Sequence, residues 1–208
     1  MSVPARPSSA GFGPRSHPDE LTLLLFSAGR LGAAFRTAVA AHAAACPRCG
    51  ARLNHDAALG GALLTVESPA PLAAGALDAA LARLDEPAPP TITLPGLLAR
   101  RSWPVAPGVR HARLLADVDE SLHLFRVRPG ACLPRHDHNG PELTCVLEGA
   151  FEDSTGTYTH GDAVPMRPGN AHEPTAVGDQ DCVCLLAVVG RLRFVTPIPR
   201  LLQRFLGL

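Results

Sequence analysis

The 208-residue chain carries 19 basic and 19 acidic residues, so its formal charge is zero. That balance argues against a nucleic-acid-binding surface, which needs surplus cations to displace counterions from phosphates. Hydrophobic residues make up 46% of the sequence, enough for a packed core and too many for wholesale disorder. Every basic residue is arginine, which reads as codon bias.

Residues 1–16 are rich in Pro, Ser and Gly and read as a disordered tail. They have no apolar core of the kind a secretory leader needs. Arg30 and Arg36 interrupt the longest apolar stretches, so no membrane span is expected. Residues 17–84 have a helical pattern. His17-Pro18-Asp19-Glu20 is a helix-start signal, with acids facing the helix dipole. Leu21, Leu24, Leu25, Ala28 and Leu31 follow at helical spacing. A second helix is predicted over 32–45, with Phe35, Val39 and His42 on one side and Pro47 and Gly50 punctuating its end. A third is predicted over 53–64. Residues 71–84 have helix composition, with Leu72, Ala76, Ala80 and Leu84 recurring every four positions.

Residues 85–108 read as a Pro-rich linker. From 109 to 208 the chain reads as short strands, including 122–128, 142–148, 150–153 and 182–189, followed by a C-terminal tail. Pro129-Gly130, Asn139-Gly140, Gly161-Asp162 and Gly169-Asn170 mark turns. The expected fold class is α + β in two domains: an N-terminal helical bundle and a C-terminal β-barrel.

The strongest motif is Gly130-x5-His136-x-His138-x3-Glu142-x6-Gly149, followed by Gly161-x5-Arg167-Pro168-Gly169-x2-His172. His136 and His138 are two apart, so on a strand both rings point to one face. The Asn139-Gly140 turn brings Glu142 back, and His172 adds a third imidazole. Three His and one Glu suit Zn, Fe(II), Mn, Ni or Co, and ligand softness does not choose among them. The spacing resembles the two cupin motifs, which implies a double-stranded β-helix, or jelly-roll, barrel. Arg167 and Ala176 stand where that family usually has Pro and Asn, positions that shape a turn.

The second motif is His42-x3-Cys46-x2-Cys49. Residues four apart share a helix face, so His42 and Cys46 can meet one ion, with Cys49 folded back by a turn after Pro47. A tetrahedral zinc needs a fourth ligand, and His17 is the best candidate, with His55 as runner-up. A redox Cys-x-x-Cys pair is one alternative, but it prefers a βαβ context that is absent, and inert buried thiols are the other. Close cysteine pairs suit a reducing compartment, so a cytoplasmic location is expected. Cys182 and Cys184 share one strand face, either as oxidisable thiols or as small core residues. Cys132 and Cys145 read as core. His111, His123 and His160 read as polar or structural.

Taken together, His17-Pro18-Asp19-Glu20-Leu21, the His42/Cys46/Cys49 motif, the Pro-rich linker and the His/Glu barrel resemble the ChrR-type zinc anti-sigma factors. That resemblance implies zinc on His17, His42, Cys46 and Cys49. It implies a second zinc, or another divalent metal such as Fe, Mn or Ni, on His136, His138, Glu142 and His172. It further implies a one-to-one complex with an extracytoplasmic-function sigma factor, without direct nucleic-acid or membrane contact; the free protein could form homo-oligomers. In the family the sigma factor is released on singlet oxygen or organic peroxide, with Cys182 and Cys184 where the family carries a Cys pair. The leucine run 23–25 with Phe26, and Leu77, Leu81 and Leu84, are contact candidates. The competing reading is a metal-dependent cupin dioxygenase or isomerase with an accessory helical module. It lacks a convincing acid or base beside the metal; Arg126, Arg128 and Arg135 could clamp an anion or be solvated.

Overall fold

Asp19 opens the first helix, α1 (Glu20–Ser27), by accepting a hydrogen bond from the Thr22 N–H at 2.8 Å. Such a cap contributes about 1 kcal/mol, and it holds the Asp19 carboxyl below the usual carboxylate range. The computed structural model describes residues 13–86 and 94–195. After α1 come α2 (Ala33–Ala45), α3 (Pro47–Val66), α4 (Ala76–Ala82) with a 3₁₀ turn at Arg83–Asp85, and the short α5 (Leu94–Leu98).

Eleven strands follow among the described residues: β1 (Trp103–Ala106), β2 (Val109–Ala116), β3 (Glu120–Val127), β4 (His136–His138), β5 (Glu142–Glu148) and β6 (Ala150–Asp153), then β7 (Gly156–Thr159), β8 (Ala163–Met166), β9 (Thr175–Val177), β10 (Cys182–Val189) and β11 (Leu192–Phe194). All pair antiparallel. They form a six-stranded sheet in the order β1-β2-β3-β10-β5-β8, a three-stranded sheet β7-β6-β9 and the pair β11-β4. This is a helical N-terminal region joined to a cupin-like β-sandwich.

Strand parity divides the large sheet into two faces. Phe125, Val127, Val146, Cys182, Cys184, Leu186 and Val188 point into the barrel. Leu122, Leu124, Leu143, Cys145, Val183, Leu185 and Ala187 point outward, where they meet Ala34, Phe35, Ala38 and Val39 of α2. The small side chains of α2 let the helix lie close on the sheet. Gly32, the N-cap of α2, has no side chain to cap with; Glu120 of the barrel does so instead, accepting from the Ala34 N–H at 2.9 Å. A Cβ at Gly32 would collide with that carboxylate.

Several expectations are revised. Residues 13–16 are not a free tail: Ser16 is hydrogen-bonded to Ala163 of β8. Residues 1–12 lie outside the described residues. The stretch read as linker contains α5 and β1, and β1 pairs with β2. Leu97 and Ser102 are buried there, and Arg126 donates to the Leu98 carbonyl at 2.6 Å, so its guanidinium holds the barrel wall. Residues 87–93 and 196–208 lie outside the described residues. The third helix starts at Pro47, because Pro is well placed in a helix's first turn. Cys49 therefore sits on a helix and not in a turn. Cys132 is exposed rather than core, next to Glu173, whereas Cys145 is buried as expected.

Candidate metal centres

The α2–α3 junction builds the first site. Cys46 ends α2, donating its N–H to the His42 carbonyl at 2.8 Å, and is also the N-cap of α3. This places His42, Cys46 and Cys49 around one point. His17 reaches the same point from just before the Asp19 cap, where it precedes the first helix rather than starting it. Its Nδ1 lies 3.4 Å from His42 Nε2, 3.5 Å from Cys46 Sγ and 3.5 Å from Cys49 Sγ. Ligands around a tetrahedral zinc with bonds of about 2.0–2.3 Å stand about 3.3–3.8 Å apart. The four donor atoms all lie within 4.8 Å of one another. His42 Nδ1 donates to the Gly161 carbonyl at 2.6 Å, which leaves Nε2 with its lone pair facing the cluster. Burial and the neighbouring Cys46 push the Cys49 thiol up to about 11; a bound cation would reverse that. His55 is exposed on α3 and stays outside the group.

The second site lies inside the barrel. An antiparallel bridge joins His136 to His172, each donating its N–H to the other's carbonyl at 3.0 Å. Their Nε2 atoms are 3.0 Å apart, and Glu142 Oε1 is 3.8 Å from His172 Nε2. Each ring is oriented through its other nitrogen: His136 Nδ1 donates to Pro134 O at 3.0 Å, and His138 Nδ1 to Gly140 O at 2.6 Å. His172 Nδ1 stands 3.1 Å from Asp153 Oδ2. Two facing lone pairs at 3.0 Å need a shared proton or cation. His136, Glu142 and His172 bring donor atoms within 4.8 Å of one another. His138 is the looser member, its ring centroid 6.5 Å from that of His172. Its Nε2 and Glu142 Oε2 are buried without a hydrogen-bond partner. Orphaned buried acceptors of this kind fit a cation. Without one, burial pushes the Glu142 carboxyl up to about 8 and the His136 imidazole down to about 4.

An apolar cavity adjoins this triad, walled by Phe125, Leu133, Phe151 and Leu186, with Cys182 and Cys184 in its lining. The neighbouring Cys182 thiol, burial and the Glu142 carboxylate hold the Cys184 thiol well above its ordinary range.

The ChrR cupin-like domain family matches residues 99–190. The anti-sigma-E factor ChrR of Cereibacter sphaeroides is 34% identical over 92% of this chain and 97% of its own length. The chain belongs to the ChrR family. The crystal structure of Rhodobacter sphaeroides SigE in complex with the anti-sigma ChrR matches at a TM-score of 0.73 and 34% identity, covering 84% of this chain and 98% of that one.

In this ChrR-family chain, the sequence motifs left the hydrogen-bond partners of these histidines unseen. Asp153 is 19 positions from His172 and reaches it because β6 pairs with β9. No spacing rule announces that. Main-chain acceptors such as Gly161 O and Gly140 O carry no sequence signal. His111 and His123 form a separate buried chain, His111 Nε2 to His123 Nδ1 at 2.9 Å and His123 Nε2 to Ser121 Oγ at 2.8 Å. Burial drives their imidazoles down to about 4 and about 3, so both rings are neutral near pH 7. No described helix is long and apolar enough to cross a membrane.

Proposed function

We propose that this chain is an anti-sigma factor. Its helical region binds one extracytoplasmic-function sigma factor in the cytoplasm and blocks that factor's access to RNA polymerase. The observation that carries this reading is apolar surface without a partner. α2 is covered by the barrel, but the outer half of α3 and all of α4 bury nothing within the described chain. Leu59, Leu63, Leu64, Val66, Leu72, Leu77, Leu81 and Leu84 are each more than half exposed, as are Leu21 and Leu24 of α1. Of the leucine run, only Leu23 is buried. Apolar helices left bare in a folded chain mark a binding surface. The relative bound to SigE supports the identity of the partner. Co-expression with the sigma factor tests this, with a stable one-to-one complex as the expected product.

The first centre would be zinc on His17, His42, Cys46 and Cys49, tying the approach to α1 to the α2–α3 junction. The second would be zinc or another divalent metal on His136, Glu142 and His172, with His138 as the fourth ligand. For the barrel we favour sensing over catalysis. The described cavity walls put thiols, rather than a further acid or base, beside the ligands. An oxidant entering there would meet Cys182 and Cys184 beside His136, Glu142 and His172, the residues that would hold the metal. Replacing both with serine is expected to slow sigma release under singlet oxygen or organic peroxide at least tenfold. Release rates of a fluorescent sigma factor would check this, and unchanged rates would remove the thiols from the mechanism.

Asp153 orients His172, and outer partners of metal-bound histidines contribute about 10–100-fold in metal affinity. Asp153→Asn is therefore expected to weaken the barrel centre by about that factor, with the first centre unaffected. Competition with a metal chelator, read per site, measures it.

A further inference from the structure

The turn between β7 and β8 belongs to the barrel in sequence, yet its polar groups face the helical metal cluster. Asp162 is buried there. Its Oδ1 accepts from the backbone N–H groups of Arg15 at 2.6 Å and Ser16 at 2.8 Å, the two residues before His17. Its Oδ2 accepts from the Thr159 N–H at 2.7 Å and the Thr159 hydroxyl at 3.3 Å. The Ala163 N–H donates to the Ser16 carbonyl at 3.0 Å, and the Ser16 hydroxyl donates back to the Ala163 carbonyl at 2.7 Å. The Gly161 carbonyl receives the Nδ1–H of His42. Gly161 has φ +87°, and a Cβ there would stand 2.7 Å from Pro14 Cγ and 3.1 Å from Ala45 Cβ. Only glycine lets both segments come this close.

A buried carboxylate is costly unless its acceptor sites are filled. Here they are filled by the turn itself and by a segment almost 150 positions away in sequence. What that arrangement fixes is the start of His17. We propose that the β7–β8 turn is the outer shell of the helical metal centre: Asp162 positions His17, and the Gly161 carbonyl sets the tautomer of His42. Two of the four ligands are thereby placed by the barrel. This inference rests on the proposed metal centre at His17, His42, Cys46 and Cys49. The same turn is bonded to β5, the Gly161 N–H donating to Val146 O at 2.8 Å and the Val146 N–H to Asp162 O at 2.9 Å. β5 begins at Glu142. A shift of that strand in the barrel would reach both outer partners of the helical site.

The test uses the full chain carrying Cys182→Ser and Cys184→Ser, loaded with Co(II), so that thiolate-to-cobalt absorption reports Cys46 and Cys49. In that background Asp162→Ala should alter the cobalt d–d bands and speed cobalt loss to a chelator at least tenfold, while barrel metal is retained. Asp162→Asn keeps one acceptor for Arg15 and Ser16 and should fall between, which a general loss of folding would not produce. Parent-like spectra and rates in both variants overturn the inference, as does parallel loss of both metals in both. Absence of the thiolate band in the parent protein overturns the metal centre itself and this inference with it.

Discussion

Replacing Cys46 with alanine is expected to remove one equivalent of metal and abolish sigma-factor binding, while the barrel keeps its own metal. The reason is the thinness of the helical core. α1 buries a single side chain, Leu23, to the level of a core residue. Burying a leucine contributes about 1.5–3 kcal/mol. Ordering the eight residues of α1 costs about 1–2 kcal/mol each, so α1 depends on being tied down through His17. Zinc on structural sites contributes apparent free energies of about 10–16 kcal/mol in small peptides, ample to close that gap. α2 should survive the substitution, because Ala34, Phe35, Ala38 and Val39 rest on the barrel sheet. α1 and the start of α3 should not. Metal content per chain, together with partial loss of helical circular dichroism, would record this outcome. Full sigma affinity in a chain that has lost this metal would refute a structural role for the site.

The same asymmetry explains what could be read from the sequence. Three strand ranges, 142–148, 150–153 and 182–189, emerge as expected because turn residues bracket each of them. The metal-ligand candidates were legible because ligation demands particular residue types at particular offsets. His42 and Cys46 needed only the helical repeat, and His136 with His138 only strand parity. The hydrogen-bond partners of the candidate ligands were not legible, since Asp153 reaches His172 through the β6–β9 pairing and Gly161 meets His42 where the β7–β8 turn packs against α2, and local spacing encodes neither. Nor was the seating of α2 on the barrel. Its alanines look like ordinary helix formers until a flat sheet is placed against them. The Pro-rich segment misled for a physical reason: proline is tolerated on edge strands, and β1, with Pro104, is one.

Truncating the α4 leucines, Leu77→Ala with Leu81→Ala, is expected to cost about a thousandfold in sigma affinity and almost nothing in stability. Both side chains are more than half exposed, at 67% and 51%, and alanine is the better helix former. Surface changes of this kind stay within about 0.5 kcal/mol of stability. If both leucines are buried on binding, each loses three carbons from the interface, about 2 kcal/mol at roughly 0.8 per methylene, or about thirtyfold. Leu63→Ala on α3 should add a comparable loss, since α3's outer half is likewise bare in the free chain. Calorimetric or fluorescence titration of the sigma factor into each variant measures the effect, with melting temperature as the control. Wild-type affinity in the triple variant would show that the partner docks elsewhere, and the bare helices would then need another explanation.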